Sequence, residues 1–230
     1  MRRERQVLLI DADDTLWENN LHFERAIAAF YELVAPLGYP EPLVRRQVDE
    51  TERQNIRQHG YGARSFLRTL EEVYLSLAGH RPEEARLQEI RRIARALLEE
   101  PPRLFEGVAE TLAYLQPRHR LLLFSKGDSE EQARKLGASG LERLFEGREI
   151  VPEKNEAAYR DLVERHRLPP AAVWMVGNSS RSDINPALAA GLNAVFIPSP
   201  HNWEYENEEI RRGAGRLLVL NSFRDLQEHF

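Results

Sequence analysis

Five short apolar runs punctuate the chain: Val7–Ile10, Leu121–Phe124, Val173–Val176, Ala194–Ile197 and Leu217–Leu220. From Leu121 onward they alternate with stretches of helical period. That alternation predicts βαβ units and a parallel sheet covered by helices on both faces. Ser129-Glu130-Glu131-Gln132 fits a capping box, so a helix is expected just after the second run. Gly191 fits the residue that ends a helix containing Ala187 to Ala190. Between the first and second runs the period changes. From Trp17 to Arg103 the apolar residues fall on helical stripes, one through Phe66, Leu70, Val73 and Leu77 and another through Ile90, Ile93 and Leu97. Pro101-Pro102 breaks the last of these helices before the α/β pattern resumes. The pattern divides the chain into an α/β core, residues 1–16 and 104–230, and an inserted helical domain, residues 17–103.

Composition narrows the function classes. At 230 residues the chain can bury a large core and carry an insert. A formal net charge of -5 argues against nucleic acid or an anionic membrane as partner. With no cysteine there is no disulfide, and no thiolate to act as nucleophile or zinc ligand. Behind the basic start Met1-Arg2-Arg3 the apolar run is only Val7–Ile10, too short for a secretory leader or a membrane span. A soluble, cytoplasmic protein is expected.

The polar residues at the ends of the runs carry the chemistry. Val7–Ile10 leads straight into Asp11, Asp13 and Asp14. Such crowding is unfavourable: at roughly 4 Å and an effective dielectric near 20, one like-charge pair costs about 4 kcal/mol before screening. Leu121–Phe124 leads into Ser125-Lys126-Gly127, and Val173–Val176 into Gly177-Asn178, with Asp183 behind. Ligands of open α/β sheets sit at the carboxyl ends of the strands, so neighbouring strands would bring these groups together. Two or more carboxylates with an amide oxygen make a hard, oxygen-rich site suited to Mg2+, which would relieve the repulsion. Lys154 lies near the start of a helix reading Asn155 to Arg165, where the dipole disfavours a cation; it could neutralise an anionic substrate. Singly, each residue has an ordinary reading. Asp11 and Asp13 could form an acidic turn capping the next helix, and Asp183 could be a helix cap. Ser125 could be a turn residue and Lys154 a surface lysine.

As a set, the motifs resemble those of the haloacid dehalogenase (HAD) superfamily in its phosphatase branch. Its first motif, Asp-x-Asp-x-Thr/Val after an apolar strand, is matched by Asp11-Ala12-Asp13-Asp14-Thr15. The second is matched by Ser125, the third by Lys154, and the fourth by Gly177-Asn178 with Asp183. The resemblance implies a Rossmann-like parallel-sheet core with a small helical cap between motifs one and two. It implies a Mg2+-dependent phosphatase acting on a small phosphorylated metabolite, such as a nucleotide or sugar phosphate. In that reading Asp11 attacks phosphorus to form an aspartyl-phosphate, and Asp13 is general acid and then base. Thr15, Ser125, Lys126 and Lys154 bind the phosphate, and Asp11, Asp13, Asn178 and Asp183 serve the metal. Asn178 stands where the family usually has Asp, which removes one formal charge; whether it or Asp183 is the direct ligand stays open.

Two rival readings remain. A 2-haloacid dehalogenase attacks carbon without a metal and has no alkoxide for Asp13 to protonate. A non-catalytic descendant would only bind phosphorylated ligands or a protein partner. In the insert, Gln58-His59-Gly60-Tyr61-Gly62 reads equally as a mobile loop or a plain helix connection. His201-Asn202-Trp203 follows the fourth run and would border the site.

Overall fold

The computed structural model describes residues 5–230, so the Met1-Arg2-Arg3 start lies outside the described residues. Strand β1 (Val7–Ile10) is buried along its whole length. Leu8 and Ile10 join one core cluster, Val7 and Leu9 the cluster on the opposite face. A strand covered on both faces has no place for a polar side chain, hence the unbroken apolar run.

Four helices follow: α1 (Asn20–Val34), α2 (Glu41–His59), α3 (Ala63–Ala78) and α4 (Glu84–Glu99). Residues Leu21–Pro101 form one compact unit; Met1–Asn20 with Pro102–Phe230 form the other. In the helical unit, Phe66, Leu70, Val73 and Leu77 are buried in one cluster with Phe30, Val34, Val44, Val48 and Ile90. Ile93 and Leu97 pack against it partly buried. Burial of such side chains is worth about 1.5–3 kcal/mol each, and the helices of this unit share one core. Gln58 and His59 close α2, and Gly60 and Gly62, both at positive φ, turn the chain into α3.

In the second unit α5 (Val108–Leu115) leads into β2 (Arg120–Lys126), α6 (Ser129–Ala138), β3 (Gly147–Val151) and α7 (Glu156–Arg165). Then come β4 (Val173–Gly177), α8 (Asn185–Ala189), β5 (Asn193–Phe196), β6 (Leu217–Val219) and α9 (Leu226–His229). The six strands make one parallel sheet in the order β3-β2-β1-β4-β5-β6. Strand β3 has no counterpart among the apolar runs. It is an edge strand carrying Arg148 and Glu149 and is only partly buried. The cap of α6 also differs from expectation. Asp128, not Ser129, caps it, accepting the N–H of Glu130 at 3.0 Å and of Glu131 at 2.9 Å.

β1 lies between β2 and β4, with Ile10 level with Leu123 and Val176. The chain fills one side of β1 through β2 and β3, then crosses to the other side from β4 onward. The carboxyl ends of β1, β2 and β4 therefore flank the point where strand order reverses, the usual ligand crevice of such sheets. Among the described residues no helix is long and apolar enough to cross a membrane.

Candidate active site

Asp11 extends β1 by one residue, its N–H donating to the Val176 carbonyl at 3.0 Å. Its Oδ1 accepts from Lys154 Nζ at 2.5 Å and its Oδ2 from Thr15 Oγ1 at 3.0 Å. Lys154, set just before α7 by Asn155 as N-cap, also donates to Asp183 Oδ1 and to the Phe124 carbonyl at 3.3 Å. One ammonium thus joins motifs one and four at the end of β2. All three charges are buried: Lys154 is 3% exposed, Asp11 6% and Asp183 0%. Burial pushes Asp11 up to about 7; the Lys154 charge pulls the other way and Asp183 adds to the rise. Burial opposes the Lys154 charge too, but the two carboxylates prevail and hold it above its ordinary range. Asp183 lies in the single π-turn Ser180–Ile184, its Oδ2 accepting the Ser179 N–H at 3.0 Å. Gly177 makes room for it: a Cβ there would lie 2.1 Å from Asp183 Oδ2.

Asp13 turns elsewhere. Its carboxylate accepts from Trp17 Nε1 at 2.8 Å, Gln132 Nε2 at 2.6 Å and Lys135 Nζ at 3.0 Å. Burial alone would raise its pKa, but Lys135 and these hydrogen bonds hold it below the usual carboxylate range. Gln132 and Lys135, both on α6, carry no motif, and the sequence offers no signal for them beyond their one-turn spacing. Asp14 stands apart again. Its carboxylate takes the backbone N–H of Asn19 at 3.0 Å and of Asn20 at 3.1 Å, while burial pushes it up to about 7.

Ser125 is buried at the end of β2, its Oγ 3.5 Å from the Lys126 carbonyl. Lys126 is not gathered with Asp11. Its ammonium donates to Glu206 Oε1 at 2.5 Å and Ser182 Oγ at 2.8 Å. Of the three residues after β5, only Asn202 reaches the site, accepting from Asn178 Nδ2 at 2.8 Å. His201 offers its carbonyl to Asn20 Nδ2, and Trp203 packs on Tyr205.

Among the described residues no three His, Cys, Asp or Glu side chains gather to hold a metal. Mg2+ does not require such a cage, since it is commonly held by one or two protein oxygens with water and substrate phosphate. Here two acceptors converge on one hydroxyl: Thr15 Oγ1 lies 3.0 Å from Asp11 Oδ2 and 2.8 Å from Asn178 Oδ1. A hydroxyl has a single proton to donate, so one lone pair in this corner lacks a donor from Thr15. Oxygen-only donors with a net negative charge fit a hard cation. Asp11 and Asn178 are the residues that would hold it. Asp11 gives Oδ1 to Lys154 but turns Oδ2 to this corner, whereas Asp183 has Oδ1 on Lys154 and Oδ2 on the Ser179 N–H. The Asp13 carboxylate is held by Trp17, Gln132 and Lys135.

Residues 6–191 match the haloacid dehalogenase-like hydrolase family. No curated protein matches the chain. Among solved structures, a haloacid dehalogenase-like family hydrolase from Xanthomonas campestris is similar over 100% of this chain and 93% of its own. Its identity is 29% and its TM-score 0.86. The HAD-hydrolase YfnB from Bacillus subtilis, bound to magnesium, shares the fold at a TM-score of 0.65 and 18% identity over 99% of each chain. L-2-haloacid dehalogenase from Xanthobacter autotrophicus shares it at 0.65 and 15% over 97% of each. The family match runs from just before β1 past α8 and contains every motif residue from Asp11 to Asp183. The chain belongs to the haloacid dehalogenase-like hydrolases.

Proposed function

We propose that this hydrolase is a Mg2+-dependent phosphatase for a small phosphomonoester. The observation that carries the reading is Asp13, two residues beyond Asp11 and gripped by Trp17, Gln132 and Lys135. Cleaving a phosphate ester releases an alkoxide that needs a proton, whereas cleaving a carbon–halogen bond releases a halide that needs none. An ionisable carboxyl two residues beyond the nucleophile has a task in the first reaction and none in the second; its three donors fix where it sits.

Asp11 is the nucleophile. One oxygen attacks phosphorus, the bond from phosphorus to the alcohol oxygen breaks, and the phosphoryl group remains on Asp11. Asp13 gives the departing oxygen its proton. It then takes a proton from the water that attacks phosphorus, freeing inorganic phosphate and Asp11. At rest Lys135 and the hydrogen bonds from Gln132 and Trp17 hold Asp13 below the usual carboxylate range, so the proton it passes to the departing oxygen is one it takes from a phosphomonoester arriving as the monoanion. Lys154 offsets the repulsion between Asp11 and an incoming phosphate anion, and Thr15 and Ser125 offer hydroxyls to its oxygens. Mg2+ beside Asp11 and Asn178 would withdraw charge from the phosphoryl oxygens.

The test is turnover of a panel of phosphomonoesters and 2-haloacids, each with Mg2+ and with EDTA. Phosphate release that requires Mg2+ supports the reading. Halide release in EDTA overturns it in favour of a dehalogenase.

A further inference from the structure

A carboxylate presents an oxygen whichever way it is flipped. An amide such as Asn178 presents an oxygen on one side and an NH2 on the other, and only the oxygen can face a cation. Something must therefore fix the flip. Asn178 Nδ2 donates to Asn202 Oδ1 at 2.8 Å, which turns Asn178 Oδ1 toward Thr15 Oγ1, 2.8 Å away, on the Asp11 side. Asn202 is fixed in turn. Its Nδ2 donates to Asn207 Oδ1 at 2.6 Å and lies 3.5 Å from the Asn178 carbonyl oxygen.

The segment that carries Asn202 is anchored to the turn after β4. Glu206 accepts the Ser179 and Ser182 hydroxyls, each at 2.6 Å, besides the Lys126 ammonium. The Glu208 N–H donates to Ser180 Oγ at 2.6 Å, and the Arg181 guanidinium lies 3.8 Å over the Tyr205 ring. Lys126 thus fastens this strap, with Glu206 held below the usual carboxylate range by Lys126 and the two serines against the opposing effect of burial.

We propose that Asn202 is a positioning residue, whose side-chain oxygen holds the Asn178 amide with its carbonyl oxygen toward the cation position beside Asp11. The assignment rests on the Mg2+ reading of the site. Asn202 acts through the amide of Asn178 alone, so a carboxylate at position 178 would make it dispensable. A double-mutant cycle isolates that dependence.

The experiment is calorimetric titration of the full chain with Mg2+ in wild type, Asn202→Leu, Asn178→Asp and the double variant. Asn202→Leu alone should weaken Mg2+ binding by about 10-fold, the low end for residues that orient a metal ligand. In the Asn178→Asp background the same substitution should leave affinity unchanged. Thermal unfolding in EDTA checks that each protein is folded, and Asn202→Ala repeats the cycle if the Leu variant is not. Unchanged affinity in Asn202→Leu overturns the assignment, and so does an equal loss in both backgrounds, which marks a merely structural role. A wild type that binds no Mg2+ overturns the magnesium reading and this assignment together.

Discussion

Replacing Lys154 by Met removes the ammonium that joins Asp11, 2.5 Å away, to Asp183, and leaves two buried carboxylates with no cation between them. Removing one partner of a buried ion pair costs about 3–5 kcal/mol, and here a single cation serves two acids. The loss should carry a pH signature. In the wild type burial sets Asp11 at about 7 against the pull of Lys154. A carboxyl raised on folding contributes stability that is fully present below its unfolded value and lost as pH rises through its folded value. Wild-type stability attributable to Asp11 should therefore fall up to about pH 7 and then level off. Without Lys154 the folded value moves higher, so the decline continues above pH 7 at about 1.4 kcal/mol per pH unit for that group.

Urea denaturation of Lys154→Met and wild type in EDTA, at pH 6, 7, 8 and 9, reads this directly. The variant should be about 3–5 kcal/mol less stable near pH 8 and closer to wild type at pH 6. Adding Asp183→Asn should restore much of the loss, because it removes the second carboxylate. Parallel pH curves, or a loss below about 1 kcal/mol at pH 8, would refute the claim that this ammonium neutralises two buried acids.

Three further outcomes are expected. Asp11→Asn should abolish turnover with the fold intact, since an amide of the same shape is a poor nucleophile; near-normal turnover in a sample free of deamidation would remove Asp11 from the mechanism. Asp13→Asn should slow alkyl phosphate cleavage by roughly 10²–10⁴-fold and nitrophenyl phosphate less in the first step; equal first-step losses in single turnover would count against the acid role. In the helical unit, Glu52 is raised from 4.5 to about 7 by burial, then by Asp49, with Arg45 opposing. Its contribution is present below 4.5 and lost as pH rises through about 7. Glu52→Gln should therefore stabilise by about 1–2 kcal/mol at pH 8 and by little at pH 4; an equal effect at both would sink the linkage.

The apolar runs made most of the sheet legible because a strand covered on both faces admits only apolar side chains. β3 escaped because an edge strand tolerates Arg148 and Glu149. The convergence of Asp11, Thr15, Asn178 and Asp183 follows from the neighbouring ends of β1 and β4, and Lys154 reaches them from beyond the end of β3, across β2; motif spacing carries that information. Lys126 was legible only as a lysine beside a strand end. Its partner Glu206 lies 80 residues on, in a segment without periodicity. Gln132 and Lys135 were hidden for a different reason. Both are buried on α6 with Glu131 and Leu136, whereas polar residues on a helix read as its solvated face.

The acids at the mouth of β1 crowd without sharing one counter-ion. Asp11 has Lys154 at 2.5 Å, Asp13 has Lys135 at 3.0 Å, and Asp14 has the backbone N–H groups of Asn19 and Asn20. Asp14 sits at φ +59, in the left-handed region that Asp tolerates better than most residues. Each acid thus has its own partner, and the repulsion the sequence poses is met locally. Around Asp11 the formal charges are Asp11 and Asp183 against Lys154, one net negative. A carboxylate in place of Asn178 would make that two, strengthening the pull on a cation and also the push against an arriving phosphate anion. The neutral amide weakens both, and it leaves orientation, rather than charge, as what this residue contributes.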